Sequence, residues 1–206
     1  MGRARLPHVS APSSPADPEF VGNVLTLFEA IHPLDRVPRA GYVLRGVTEP
    51  ESVSAHSHFL AVLVLLFCER YPADYDRGRA LAMALVHDLP EARLMDIPMP
   101  YADAYLSDAK HRAEQAIADD LLGPLPGSLA QLHQEFTDAA TPEARLLRGL
   151  DKAQMMIKVL CYDREHRGRL EEFWINPKNF NDFGIPAVSA LFDAICEHAG
   201  RERPRA

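Results

Sequence analysis

The chain has 206 residues, 47% of them apolar and 25% charged, the balance of a single globular domain with enough core to stand without disulfides or a structural metal. Its 22 Lys and Arg against 29 Asp and Glu leave a formal charge of −7, which argues against non-specific binding to polymeric nucleic acid or to an anionic membrane. The three cysteines, Cys68, Cys161 and Cys196, are odd in number and lack CxxC spacing, a reduced pattern that implies a cytoplasmic protein. The longest apolar run, Phe59 to Cys68, is too short to cross a bilayer, and no apolar stretch follows Arg3 and Arg5 as a secretory signal would require.

Residues 1–19 carry Pro7, Pro12, Pro15 and Pro18 among Ser and Ala and read as a flexible tail, as do residues 201–206. The domain is expected over 20–200. Residues 20–31 predict a short apolar-periodic helix and 41–47 a short extended piece. Thr48-Glu49-Pro50-Glu51 has the form of a capping box with Pro in the first turn, so a helix is expected from there to about Arg70. That helix is apolar on nearly every face from Phe59 to Cys68, which predicts a place at the centre of a bundle. Residues 76–88, rich in Ala, Leu and Met, predict a second helix. Pro90, Pro98 and Pro100 then enforce an irregular stretch. Further helices are predicted over 107–122, around 131–136, over 141–162 behind Thr141-Pro142, and over 186–198. Apart from 41–47, nothing alternates with period two over a useful length, so the fold class is all-α.

Polar side chains on apolar helix faces are the informative feature. His56 shares a stripe with Phe59, Leu60, Leu63, Val64 and Phe67. Asp88 lies on the face of Leu81, Ala84 and Leu85, with His87 as its neighbour. Asp151 edges the stripe formed by Leu146, Leu150, Ala153 and Ile157. A lone buried His is usually a core residue with a satisfied hydrogen bond. Two His and two Asp on the inner faces of three helices are harder to assign to packing, because a buried carboxylate costs several kcal/mol unless paired or bound to a metal. Imidazole and carboxylate ligands without thiolate suit a divalent first-row ion such as Mn, Fe, Co or Ni.

His56, His87-Asp88 and Asp151 in that order resemble the H…HD…D signature of the HD-domain metal-dependent phosphohydrolases. The flanks are more specific. Arg45-Gly46-Val47, Pro50-Glu51-Ser52-Val53, the run Ala84 to Glu91, Asp96-Ile97-Pro98, Lys110-His111-Arg112 and Leu150-Asp151-Lys152 resemble the branch containing the 5′-deoxynucleotidases and their eukaryotic HD-domain relatives. The likeness spans about Phe20 to Cys196.

The resemblance implies a helical bundle with a divalent metal held by His56, His87, Asp88 and Asp151. It implies hydrolysis of nucleoside 5′-monophosphates, often deoxy forms, and a homodimer. Glu91 and Asp96 would serve the attacking water and the substrate, and some relatives hold a second divalent ion there. Arg45, Asp96 and Ile97 would contact the substrate, Arg45 through its phosphate. Glu91, one turn past His87, could orient or deprotonate water. Arg45 could pair with two phosphate oxygens. Other readings are the same chemistry on a nucleoside triphosphate or another phosphorylated metabolite, or a catalytically silent metal- or nucleotide-binding module. Two positions depart from the branch: Met95 stands where relatives usually have Gly, and Gly46 where the bacterial enzymes have Trp. Gly46 offers no side chain to crowd a 2′-hydroxyl, so ribose and deoxyribose substrates are expected to react alike. Trp174, near Phe173, Phe180 and Phe183, is expected to close one end of the core, and His58, His111, His133 and His166 to lie on the surface or behind the site.

Overall fold

The computed structural model describes residues 17–106 and 108–204. Residues 1–16 of the expected N-terminal tail, Ser107, and residues 205–206 of the expected C-terminal tail lie outside them. Helix α1, Pro18–Ile31, takes in the last two residues of the expected tail. Asp17 caps it, accepting from Phe20 N at 3.1 Å, and Pro18 sits where no N–H is needed. A 3₁₀ turn, His32–Asp35, follows.

The segment leading to the first long helix differs from its prediction. Residues 41–47 are not extended: α2, Ala40–Val43, is a helical turn closed by Gly46 at φ +77°. Extended backbone lies just upstream, where Pro38 and Ser52 form an isolated antiparallel bridge and Arg39 N donates to Glu51 O at 3.0 Å. Helix α3, Val53–Arg70, begins later than the capping box suggested, because Ser52 is the cap and accepts from Ala55 N. Glu51 turns into the interior instead of back toward Thr48. The carbonyls of Thr48 and Glu49 are held by the guanidinium of Arg167. Gly168, at φ +79°, lets the neighbouring chain lie against Val47, where a Cβ would come within 2.6 Å of a Val47 methyl.

Helix α4, Arg77–Val86, is capped by Asp76. The proline-rich stretch that follows carries short turns: α5, Glu91–Leu94; α6, Met99–Tyr101; and a π-helical turn, Ala102–Leu106. Helices α7, Asp108–Leu122, and α8, Leu129–Asp138, lead to α9, Pro142–Arg164, which starts at the Thr141 cap as its sequence indicates. The sequence reading missed α10, Glu171–Ile175, and the 3₁₀ turn Pro177–Phe180. Helix α11, Pro186–Ala199, ends at Gly200. Among the described residues no strand forms, and the all-α class holds.

Helix α9 is the axis of the bundle. Its Leu146, Leu147, Leu150, Ala153, Met156 and Val159 are fully buried, and α3, α4, α8 and α11 pack around it. Each such Leu contributes about 1.5–3 kcal/mol of burial. Helix α3 is not surrounded as its composition suggested. Val53, His56, Leu60, Val64 and Cys68 face inward, but Phe59 is 48% and Leu66 58% exposed. The C-terminal residues 201–204 are not loose. Arg201 pairs with Glu171 and Asp163, and Arg203 with Asp182 and Asp193.

Candidate metal centre and active site

Four predicted ligands converge from three helices. His56 comes from the first turns of α3. His87 and Asp88 close α4, where the helix stops before Pro90. Asp151 comes from the middle of α9. His56 Nε2 lies 3.1 Å from Asp151 Oδ1 and 3.7 Å from Asp88 Oδ2, and His87 Nε2 lies 3.2 Å from Asp88 Oδ2. His56, His87 and Asp88 present ligand atoms within 4.8 Å of one another, with Asp151 beside them.

The tautomers make this set a ligand cradle. His87 Nδ1 donates to Ala84 O at 2.9 Å, and His56 Nδ1 faces Gln154 Oε1 at 2.6 Å. Each ring therefore turns a bare Nε2 lone pair inward. Both Nε2 atoms are buried without a hydrogen-bond partner, as is Glu91 Oε2. Orphaned buried acceptors are costly, and a cation is what they lack. The fit to a divalent ion with two imidazole and two carboxylate donors is good.

Electrostatics agree. Burial alone would raise the pKa of Asp88, but His87, Arg39 and His56 hold it well below the usual carboxylate range. Asp151 is held low against burial by His56 and Arg39. Burial opposes charge on His87, yet Asp88 raises its pKa. Glu91 moves the other way: burial and the neighbouring Asp88 push it well up, with Arg39 opposing.

Arg39, which no sequence pattern marks, stands at the centre. Its Nη1 is 3.5 Å from Asp88, 3.9 Å from Glu91 and 3.7 Å from Asp96. Asp96 is oriented by Ala40 N, which donates to Oδ2 at 2.6 Å, so it serves the same cluster despite Met95 before it. Met95 takes φ +66° and ψ 165°, a region that otherwise belongs to glycine. Arg45 lies on the wall of the same cavity, paired with Glu172 and 5.8 Å from the Phe173 ring.

These groups open into a cavity of about 1250 Å³. Arg39, Asp88, Glu91, Asp96 and Asp151 line its acidic end; Ile97, Phe136, Phe173, Ile175 and Asn176 line its walls. Phe136 also meets His87 edge-on, 5.1 Å between centroids. Gly46 is not among the lining residues, and its φ accounts for glycine there, so the expectation about the sugar loses its footing. Trp174 is buried and donates to Asp163, closing the core as expected; Phe173, its neighbour, reaches the cavity instead. His133 is buried, so of its two expected places the surface is excluded. It faces Gln115 at 3.0 Å, burial lowers its pKa, and it lines the cavity.

A family model of the HD domain matches residues 31–180, a span that contains every candidate ligand above. The chain belongs to the HD-domain family. This HD-domain phosphohydrolase is 33% identical over 181 residues to the 5′-deoxynucleotidase HDDC2 of Xenopus laevis, covering 85% of this chain and 87% of that protein. It is 32% identical to the human 5′-deoxynucleotidase HDDC2, over 74% of this chain and 75% of the other. Among solved structures, a conserved hypothetical protein from Pyrococcus furiosus superposes with a TM-score of 0.71 at 31% identity, over 84% of this chain and 98% of that one. A predicted metal-dependent phosphohydrolase from Magnetospirillum magnetotacticum shares the fold, with a TM-score of 0.65 at 21% identity over 88% of this chain and 96% of that one.

Proposed function

We propose that this HD-domain phosphohydrolase removes the phosphate from deoxynucleoside 5′-monophosphates. The observation that carries the reading is the pair of bare His Nε2 atoms facing Asp88 and Asp151, with Arg39 beside Asp88, at the end of a cavity large enough for a nucleotide. The curated relatives, named as 5′-deoxynucleotidases, support the deoxy sugar.

His56, His87, Asp88 and Asp151 would hold one divalent transition ion, Mn, Fe, Co or Ni. When bound, that ion supplies a Lewis acid for the phosphoryl group and acidifies water. Arg39 receives the phosphate, offering fixed positive charge where negative charge builds up. It also stands among Glu91 and Asp96, where some relatives hold a second ion, and this supports a one-ion site. Glu91 accepts the proton of the attacking water at Oε2, a buried oxygen that has no hydrogen-bond partner of its own. Asp96, fixed by Ala40 N, holds Arg39 in place. Arg45, Ile97 and Phe173 meet the sugar and base farther out, Arg45 when it leaves its exposed partner Glu172.

The test is phosphate release from a nucleotide panel by metal-reconstituted protein, with each base tried on both sugars. Activity on deoxynucleoside monophosphates that is abolished by a strong chelator, with about one ion per chain, is the expected outcome. Full activity without metal would overturn the reading. The exposed apolar face of α3 with Phe59, Val62 and Leu66 supports a homodimer, which sedimentation of Leu66→Glu would test. The free thiols Cys68, Cys161 and Cys196 support a cytoplasmic setting.

A further inference from the structure

We infer that Gln154 is the positioning residue that fixes His56 as a metal ligand, and that Glu51 and Lys158 in turn fix Gln154. The inference rests on the reading of His56 as a ligand.

The chain of contacts runs away from the cavity into the core. His56 Nδ1 lies 2.6 Å from Gln154 Oε1. Gln154 Nε2 donates to the Glu51 carboxylate, 3.1 Å from one oxygen and 3.4 Å from the other. Lys158 Nζ stands 3.6 Å from Glu51 Oε2. His56, Gln154 and Glu51 are all buried, and Glu51 N donates to Tyr162 Oη at 2.8 Å. Asp151, Gln154, Lys158 and Tyr162 lie at i, i+3, i+7 and i+11 along α9, one stripe facing the start of α3.

Donor and acceptor chemistry gives this chain a direction. An ammonium only donates, and an ionised carboxylate only accepts. Glu51, facing Lys158, therefore draws the NH₂ of the Gln154 amide toward itself. The amide oxygen is left facing His56. An amide oxygen cannot donate, so Nδ1 must carry the imidazole proton, and the Nε2 lone pair points at Asp88 and Asp151. His87 reaches the same state through a backbone carbonyl, which no substitution can remove. At His56 the outcome depends on side chains. A glutamine with its amide reversed would present NH₂ to Nδ1, move the proton to Nε2 and block the ligand position. Groups behind a ligating histidine commonly change metal affinity by about 10–100-fold when lost.

The experiment uses the full chain, metal-free and metal-loaded, with Gln154→Leu, Glu51→Gln, Gln154→Glu and the exchange pair Glu51→Gln with Gln154→Glu. Two readouts are taken: the His56 tautomer from ¹⁵N NMR of the metal-free protein, and Co(II) affinity by chelator competition. Wild type should show Nδ1–H at His56. Gln154→Leu should lose that single tautomer and bind Co(II) at least tenfold more weakly, while His87 keeps its own. Glu51→Gln preserves volume and frees the Gln154 amide to reverse, so it should show a mixed tautomer even if Gln154→Leu does not fold. Gln154→Glu alone sets two buried carboxylates against each other and should weaken binding. The exchange pair restores an amide donor facing a carboxylate acceptor and should recover affinity and tautomer together. An unchanged His56 tautomer in folded Gln154→Leu or Glu51→Gln would overturn the inference. Failure of the nucleotidase reading would show in phosphate release and leave the tautomer result standing.

Discussion

The guanidinium of Arg39 stands 3.5 Å from the carboxylate of Asp88, a candidate metal ligand, with Glu91 and Asp96 within 4 Å of the same nitrogen. Burial works against charge on this arginine, but Asp96, Asp88 and Glu91 together hold its pKa well above the usual value. It is a permanent cation at the acidic end of the cavity.

Arg39→Ala should therefore lower kcat/KM by roughly 3–4 kcal/mol, the scale of a lost donor to developing negative charge. Arg39→Lys keeps the charge but not the fork and should recover little. Arg45→Ala should cost less, because Arg45 is farther along the wall and already shared with Glu172. Steady-state kinetics on the three variants checks the ranking. A larger loss at Arg45 would make that residue the phosphate partner instead.

Glu91→Gln keeps the volume and should cut turnover about a hundredfold or more while the bound metal remains. The sign of its titration can be read in metal-free protein. Its folded pKa is raised, so the stability it contributes is fully present below its unfolded value and is lost as pH rises through the folded one. Metal-free wild type should weaken relative to Glu91→Gln as pH rises from about 4 toward neutrality. Urea midpoints across that range test this; parallel curves would mean that Glu91 ionises freely.

Much of the centre was legible because its residues break a pattern. A His or Asp on a Leu face is visible in one dimension, and the caps Asp76 and Thr141 mark their helices directly. Arg39 was not legible. It lies outside any periodic element, and its place over Asp88 comes from long-range pairing, of Pro38 with Ser52 and of Arg39 N with Glu51 O. Position 51 misled for a related reason: Glu three residues after Thr48 satisfies a capping pattern, yet its partners, Gln154 and Lys158, lie a hundred residues away. The exposure of Phe59 and Leu66 was hidden too, since composition reports that a helix is apolar and not how many neighbours cover it.

Met95 is 52% exposed and holds a backbone conformation that costs a side-chain-bearing residue about 1–3 kcal/mol. Met95→Gly should relieve that strain. Part of the gain is offset by the added freedom of glycine in the unfolded chain, roughly 0.5–1 kcal/mol. A net stabilisation of about 1 kcal/mol is expected, with turnover near wild type because Asp96 is held by Ala40 N. Thermal unfolding checks the first statement and kinetics the second. A destabilised variant would mean that the Met95 side chain packs against something that matters.

Composition alone marks the C-terminus as a tail. Arg203 Nη1 donates to Ser189 Oγ at 2.7 Å and to Asp193 at 3.1 Å; Nη2 donates to Phe180 O and Asp182, each at 2.9 Å. Its guanidinium also lies 5.2 Å from the Phe192 ring centroid. One side chain thus clasps α11 to the turn before it. Arg203→Ala should cost roughly 1–3 kcal/mol, the range for hydrogen bonds to charged groups. Asp182 adds a pH signature. Burial would raise its pKa, but Gly184 N and then Arg203 lower it, so its contribution is present above the unfolded pKa and lost as pH falls through the folded one. The gap in urea midpoint between wild type and Arg203→Ala should therefore narrow between pH 7 and pH 3. Turnover per folded molecule should not change, since Arg203 is not among the residues lining the cavity. Equal midpoints at neutral pH would return residues 201–204 to the status of a tail.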